Sequence, residues 1–284
     1  MNVHRNPRRR RGLLVAAAAI AALAAAAMPA QATSAATTAA RSAGSTAPTI
    51  VLVHGAFADP TAWNEVNASL RKDGYATAAP ALGLQMIAAD AQIVAATLDA
   101  IPGPKVLVAH SYGGVVVSNA ASGRTDVTAL GLTAAYLPAQ GESIGSLSQG
   151  YTPPAFLAPP FPPGHLLIDA TGSAIIDPAF FRADFAQDLN PKLAARMAAA
   201  QKPVNLGVLF TPSGPPAWAT IPSWYAISGA DRIIDPALQR AMAARARSTT
   251  VTFDDASHAG GFTHYSARFA KLIEQVATSM AATS

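Results

Sequence analysis

The sequence of 284 residues predicts an α/β fold built on a mainly parallel, doubly wound sheet. Two observations carry this. Short β-rich apolar runs alternate with segments of helical periodicity. The runs are apolar at nearly every position rather than every second one, as strands covered on both faces require. Hydrophobic residues make up 51% of the chain and charged residues 13%, so a chain of this length can bury one large core.

The amino terminus stands apart from that alternation. "RNPRRRRG" is a positive segment, "LLVAAAAIAALAAAA" an apolar one, and Ala30-Gln31-Ala32 has the small-x-small form of a signal-peptidase site. A signal peptide over residues 1–32 is expected, and the small polar stretch 33–48 reads as a flexible linker. Arg10-Arg11-Gly12-Leu13-Leu14 resembles a twin-arginine signal with Leu in place of the usual Phe, so the export route stays open. The expected location is secreted or periplasmic, with no stable membrane association after cleavage; the alternative is an uncleaved anchor, because the apolar stretch is about as long as a short span.

From Thr49 onward, one domain over 49–284 is expected. "TIVLVHG", "YATAAPAL", "KVLVAHS", "VTALGLTAAYL", "PSWYAISG" and "TTVTFDD" are the strand candidates. "PTAWNEVNASLRKDG", "LQMIAADAQIVAATLDAI", "VVVSNAAS" and "ALQRAMAARA" are helix candidates between and after them. Ligands of such sheets bind at the carboxyl ends of the strands, so the residues just after each run matter most.

After the third run, Ala109-His110-Ser111-Tyr112-Gly113 has the form of the G-x-S-x-G elbow, with Ala109 in place of the first glycine. In that turn a strand folds sharply into a helix and leaves the serine exposed on strained backbone. Small flanking residues are required because the two backbones nearly touch. The plain alternative is a cap-like serine at an ordinary strand-to-helix turn. After the first run, the His54-Gly55 pair folds a loop back, so that the Ala56 N–H and the Tyr112 N–H could together form an oxyanion hole. His54 and His110 read as residues of their turns. A serine needs a base and a group that orients the base. The fifth run ends at Gly229-Ala230-Asp231 and the sixth leads to His258. Asp235 reads as a helix cap before Pro236, Asp254 and Asp255 as shaping their own loop, and His264 as peripheral. His165 is a weaker candidate for a pocket lining.

The stretches "VLVHGAFADPTAW", "VLVAHSYGG", "AYLPAQGES", "SWYAISGADRIIDPALQRAMAARA" and "SHAGG" resemble the α/β-hydrolase superfamily, in particular a small bacterial branch similar to plant methylesterases and hydroxynitrile lyases. The resemblance covers nearly the whole chain from Thr49. It implies the α/β-hydrolase fold and a triad of Ser111, Asp231 and His258. It also implies backbone oxyanion donors at Ala56 and Tyr112, with Phe57 as a second candidate. Hydroxynitrile lyases of this type carry a lysine after the catalytic histidine and a threonine in the first loop; Ala259 and Gly55 stand there, which argues against cyanohydrin cleavage. Ser111 excludes the aspartate-nucleophile mechanism of epoxide hydrolases and haloalkane dehalogenases. Perhydrolysis, known from cofactor-free haloperoxidases, could occur only as a side activity.

A cap insertion is expected at about 138–216, where prolines, aromatics and a few helical turns interrupt the alternation. Phe156, Leu157, Phe161 and Leu166 in it suggest an apolar pocket. No dinucleotide or phosphate-binding glycine loop and no metal-ligand spacing occurs, so neither cofactor nor metal is expected. Cysteine is absent, which excludes disulfides and thiolate chemistry. Of 20 Lys and Arg against 16 Asp and Glu, six arginines lie at or before Arg41, so the remainder is near neutral and nucleic acid is not implied. The expected partner is a small-molecule ester; monomer and dimer both stay open. The function read from the sequence is ester hydrolysis through an acyl-enzyme. Lactone or thioester hydrolysis on the same triad and ligand binding without turnover are the alternatives.

Overall fold

The computed structural model describes residues 47–157 and 164–281. The expected leader 1–32, the linker through residue 46 and Phe161 lie outside the described residues. Six parallel strands form the central sheet: β1 (Thr49–Val53), β2 (Thr77–Ala78), β3 (Lys105–Ser111), β4 (Val127–Ala135), β8 (Ser223–Ser228) and β9 (Thr249–Phe253), in the order β2-β1-β3-β4-β8-β9. All six coincide with the apolar runs of the sequence. Every residue of β1 and β3 is buried, the two-sided burial that a continuous apolar run predicts. A fully buried Val, Leu or Ile contributes about 1.5–3 kcal/mol, so these strands anchor the core.

The strand order places the site. From β1 the chain moves outward to β2 and then back across β1 to β3, so sequence direction reverses between β1 and β3. The loops that leave the carboxyl ends of β1 and β3 therefore diverge and open a crevice. Register pairs Val53 with Ala109, which sets the His54-Gly55 loop beside the turn at Ser111.

Helices α1 (Asn64–Lys72), α2 (Ile87–Asp99), α3 (Gly113–Ala120), α7 (Pro236–Arg245) and α8 (Ser266–Ala281) connect or follow these strands. Trp63, at the start of α1, is buried against Phe262 and against Phe269 of α8, with ring centroids at 5.2 and 6.2 Å. Asp235 accepts the Ala237 N–H at 2.8 Å and starts α7 with Pro236 at its first position.

Between β4 and β8 lies an insertion of α4 (Ile144–Leu147), α5 (Pro178–Phe185) and α6 (Pro191–Ala199) with β5 (Leu166–Ile168), β6 (Ser173–Ile176) and β7 (Val204–Asn205). Asp177-Pro178 and Asn190-Pro191 start α5 and α6 as Asp235-Pro236 starts α7. The three strands form a separate antiparallel sheet in the order β5-β6-β7. The sequence reading names a few helical turns here and does not anticipate the sheet. Strands of two to four residues are too short for a period-two pattern to register.

Candidate active site

The turn between β3 and α3 is built on close backbone approach. Ser111 sits at φ 54°, a left-handed conformation that costs a non-glycine residue about 1–3 kcal/mol and persists only where its surroundings impose it. A Cβ at Gly113 would stand 2.7 Å from the His54 carbonyl oxygen and 2.8 Å from that of Val53; one at Gly55 would stand 2.8 Å from Ser111 Cβ. Glycine at both positions lets α3 begin against the end of β1 and lets the β1 loop touch the serine. The Tyr136 N–H donates to the Ser111 carbonyl at 3.1 Å and ties the turn to the end of β4.

Ser111, Asp231 and His258, 120 residues or more apart in part, meet at the carboxyl end of the sheet. His258 Nε2 lies 2.9 Å from Ser111 Oγ, and His258 Nδ1 lies 2.8 Å from Asp231 Oδ2. His258 is fully buried, Asp231 and Ser111 nearly so. With Nδ1 paired to the carboxylate, Nε2 is the ring nitrogen that faces the serine hydroxyl. Asp231 Oδ1 accepts the Ile233 and Ile234 N–H groups at 2.7 and 3.0 Å, and Oδ2 also accepts Gln239 Nε2–H at 2.8 Å. Phe185 presents itself edge-on to the His258 ring at 4.7 Å.

The neighbouring histidines face elsewhere. His54 Nδ1–H donates to the Gly55 carbonyl at 2.9 Å while Nε2 accepts the Leu82 N–H at 3.0 Å. Burial holds its imidazole below the ordinary value, against the hydrogen bond to Gly55. His110 Nε2–H donates to the His258 carbonyl at 3.0 Å. Burial first, and the nearby His258 second, hold His110 well below the ordinary range. Asp235 caps α7, Asp254 and Asp255 are exposed, as is His264, and His165 pairs with Asp184 at 2.7 Å and stacks on Phe180.

Two supporting residues escaped the sequence reading. Asp90, buried on α2, accepts the Tyr112 hydroxyl at 2.8 Å, the Gly83 N–H at 2.7 Å and the Leu84 N–H at 3.2 Å. Burial, reinforced by Asp90, pushes the Tyr112 phenol far above its ordinary value. Gln239 is the other. Both interrupt apolar helical stripes, Ile87-Asp90-Val94-Leu98 and Leu238-Gln239-Met242, and that interruption is the signal by which they could have been found.

Ser111 and His258 open into a cavity of about 250 Å³ with Ala56, Phe57 and Tyr112 at its wall. The insertion covers it with Ile144, Phe156, Leu157, Leu206, Leu209 and Phe210. Leu166, expected in the pocket, is instead buried on β5 and does not line it. A second cavity of about 300 Å³ shares only the Phe57 and Phe185 walls with the first and carries Asp59, Glu65 and Arg196.

A sequence model described as the alpha/beta hydrolase family matches residues 50–272. The chain belongs to this family. The fold of this α/β-hydrolase recurs in solved structures. A pyrethroid hydrolase from Sphingobium faniae JZ-2 is 22% identical with a TM-score of 0.63, over 81% of this chain and 97% of that one. A methylesterase from Arabidopsis is 18% identical with a TM-score of 0.64, over 81% and 99% of the two chains. An extracellular α/β-hydrolase from a Paenibacillus species, described as sharing structural and functional homology with tobacco salicylic acid binding protein 2, is 16% identical with a TM-score of 0.65, over 80% and 98%. No functionally curated protein matches the chain.

Proposed function

We propose that this α/β-hydrolase cleaves carboxylic esters of small to medium apolar substrates through a serine acyl-enzyme. The observation that carries the reading is the hydrogen-bonded line from Asp231 through His258 to Ser111 Oγ, at 2.8 and 2.9 Å, ending in an apolar cavity. The methylesterase and the pyrethroid hydrolase among its structural relatives point the same way.

In this mechanism His258 takes the Ser111 proton as Oγ attacks the ester carbonyl. Asp231 holds the imidazole in the tautomer that accepts at Nε2 and stabilises the imidazolium that forms. The Ala56 and Tyr112 N–H groups, with Phe57 as a second candidate in the first loop, receive the developing oxyanion; one such donor is worth about a hundredfold or more in kcat. The imidazolium then protonates the departing alcohol. Water, deprotonated by His258, cleaves the acyl-enzyme and restores Ser111. Both carbonyl substituents must fit the available volume, which favours compact apolar esters. Export remains part of the reading, carried by the charged, apolar and small-x-small segments of residues 1–32.

The test is hydrolysis of p-nitrophenyl esters of increasing acyl length by the protein from Thr33 onward, beside Ser111→Ala. Turnover by the parent and a loss of about a millionfold in kcat in the variant are expected. Undiminished activity in Ser111→Ala overturns the mechanism. A folded parent that binds esters without cleaving any identifies a ligand-binding relative instead.

A further inference from the structure

We infer that Gln239 is a positioning residue of the reaction centre, acting through Asp231, an inference that rests on the proposed roles of Ser111, His258 and Asp231. Gln239 is fully buried on α7 and does not line the cavity at Ser111. Its side-chain oxygen accepts the Ser228 N–H at 3.0 Å. Its Nε2 faces three acceptors: Asp231 Oδ2 at 2.8 Å, the Ile234 carbonyl at 2.9 Å and, more weakly, the Ser228 carbonyl at 3.4 Å. Only one orientation of the amide puts its donors opposite acceptors and its oxygen opposite a donor, so the group cannot flip without stranding buried polar atoms.

The consequence lies at Asp231 Oδ2. That oxygen accepts both Gln239 Nε2–H and His258 Nδ1–H, each at 2.8 Å. Together with the Ile233 and Ile234 N–H groups on Oδ1, the carboxylate has four donors for its two oxygens. The two peptide N–H groups and Gln239 fix the carboxylate in position and in rotation, and His258 reads that position. The amide has a second, electrostatic effect. A neutral donor on Oδ2 spreads the negative charge that stabilises imidazolium. Gln239 Nε2–H and His258 Nδ1–H therefore share the charge of one and the same oxygen.

Capping offers a purely structural alternative, because Gln239 also joins the end of β8 to the start of α7. The two roles separate in the pH profile. In Gln239→Met, matched in length and lacking the donor, charge concentrates on Oδ2 and His258 keeps its proton to higher pH. The acid limb of kcat/KM is then expected to move upward by about half a pH unit or more, with imidazolium favoured by about 1.4 kcal/mol per unit. Plateau kcat is expected to fall about tenfold as the carboxylate loosens, with KM for p-nitrophenyl butyrate within about twofold of the parent. Gln239→Glu is the conservative partner: two carboxyls in contact share a proton, restoring a donor to Oδ2, so it should retain more kcat than Gln239→Met at low pH and lose it as that proton leaves. It also keeps the inference testable if the methionine variant fails to fold.

An acid limb unmoved in both variants, with losses confined to thermal stability, overturns the positioning role and leaves a structural glutamine. Ser111→Ala, measured alongside, separates the levels. If it retains hydrolysis, the underlying mechanism fails; if it is inactive while the Gln239 variants keep the parent kcat and profile, only this inference fails.

Discussion

Replacing Asp90 should expose how much the turn after β3 and the loop at Gly83 and Leu84 depend on one buried carboxylate. In Asp90→Ala three donors lose their acceptor: the Tyr112 hydroxyl, the Leu84 N–H and the Gly83 N–H. The first two are buried, and the Gly83 N–H has partial access to water. A buried orphaned donor costs about 1–3 kcal/mol, so two of them, with a small contribution from the third, predict a loss of about 3–5 kcal/mol. In a domain of this size each kcal/mol shifts Tm by roughly 2–4 °C, which puts the expected drop near 10 °C. Asp90→Asn behaves differently. Its carbonyl oxygen can serve the two loop N–H groups and its amide can donate to the Tyr112 oxygen, so about 1 kcal/mol or less is lost. Urea unfolding followed by tryptophan fluorescence measures both, read as a shift of the midpoint at constant m. An alanine variant within about 1 kcal/mol of the parent, or an asparagine variant as unstable as alanine, refutes the reasoning.

The remaining predictions concern pH and pocket shape. Burial lowers the proton affinity of His54 in the fold and holds that of His110 well below its ordinary range, whereas in the unfolded chain both bind protons below about pH 6.5. The unfolded state then holds more protons, so stability is full above that pH and falls on acidification by up to about 2.7 kcal/mol per unit for the pair. Urea midpoints at pH 7.5 and 5 check it, and a flat profile between them contradicts the lowering of both groups by burial. In Phe57→Ala the ring between cavities of about 250 and 300 Å³ is removed; the acyl-chain optimum should lengthen, with kcat/KM for p-nitrophenyl octanoate rising relative to the acetate. An unchanged ratio refutes the role of the Phe57 ring in limiting chain length.

Legibility in the sequence followed the range of the interactions. Central strands such as "KVLVAHS" announce themselves because burial on both faces leaves an unbroken apolar signature, and the elbow does so because steric contact demands small residues at fixed offsets. The convergence of Asp231 and His258 on Ser111 could be anticipated from the ends of successive strands, since a parallel sheet gathers those ends on one side. Asp90 and Gln239 were not anticipated: each looks locally like a polar lapse in an apolar stripe, and its partner lies in another element. The β5-β6-β7 sheet was missed because its strands are shorter than the pattern that would reveal them, and Leu166 was misassigned with it. Its hydrophobicity is satisfied within the insertion rather than at the cavity.

The insertion between β4 and β8 contributes most of the cavity wall, yet Ser111, Asp231 and His258 all lie outside it. Changes among its cavity-lining residues can therefore reshape the space above the serine, provided that Phe185 and Asp188, which accept the Ala259 and Ser257 N–H groups on either side of His258 at 3.1 Å each, are kept. Exchanging the wall segments 144–157 and 204–210 for the corresponding stretches of a relative is thus a way to alter the cavity by transplantation, with the Phe57–Phe156 ring contact, centroids 5.8 Å apart, marking one seam where the graft must fit.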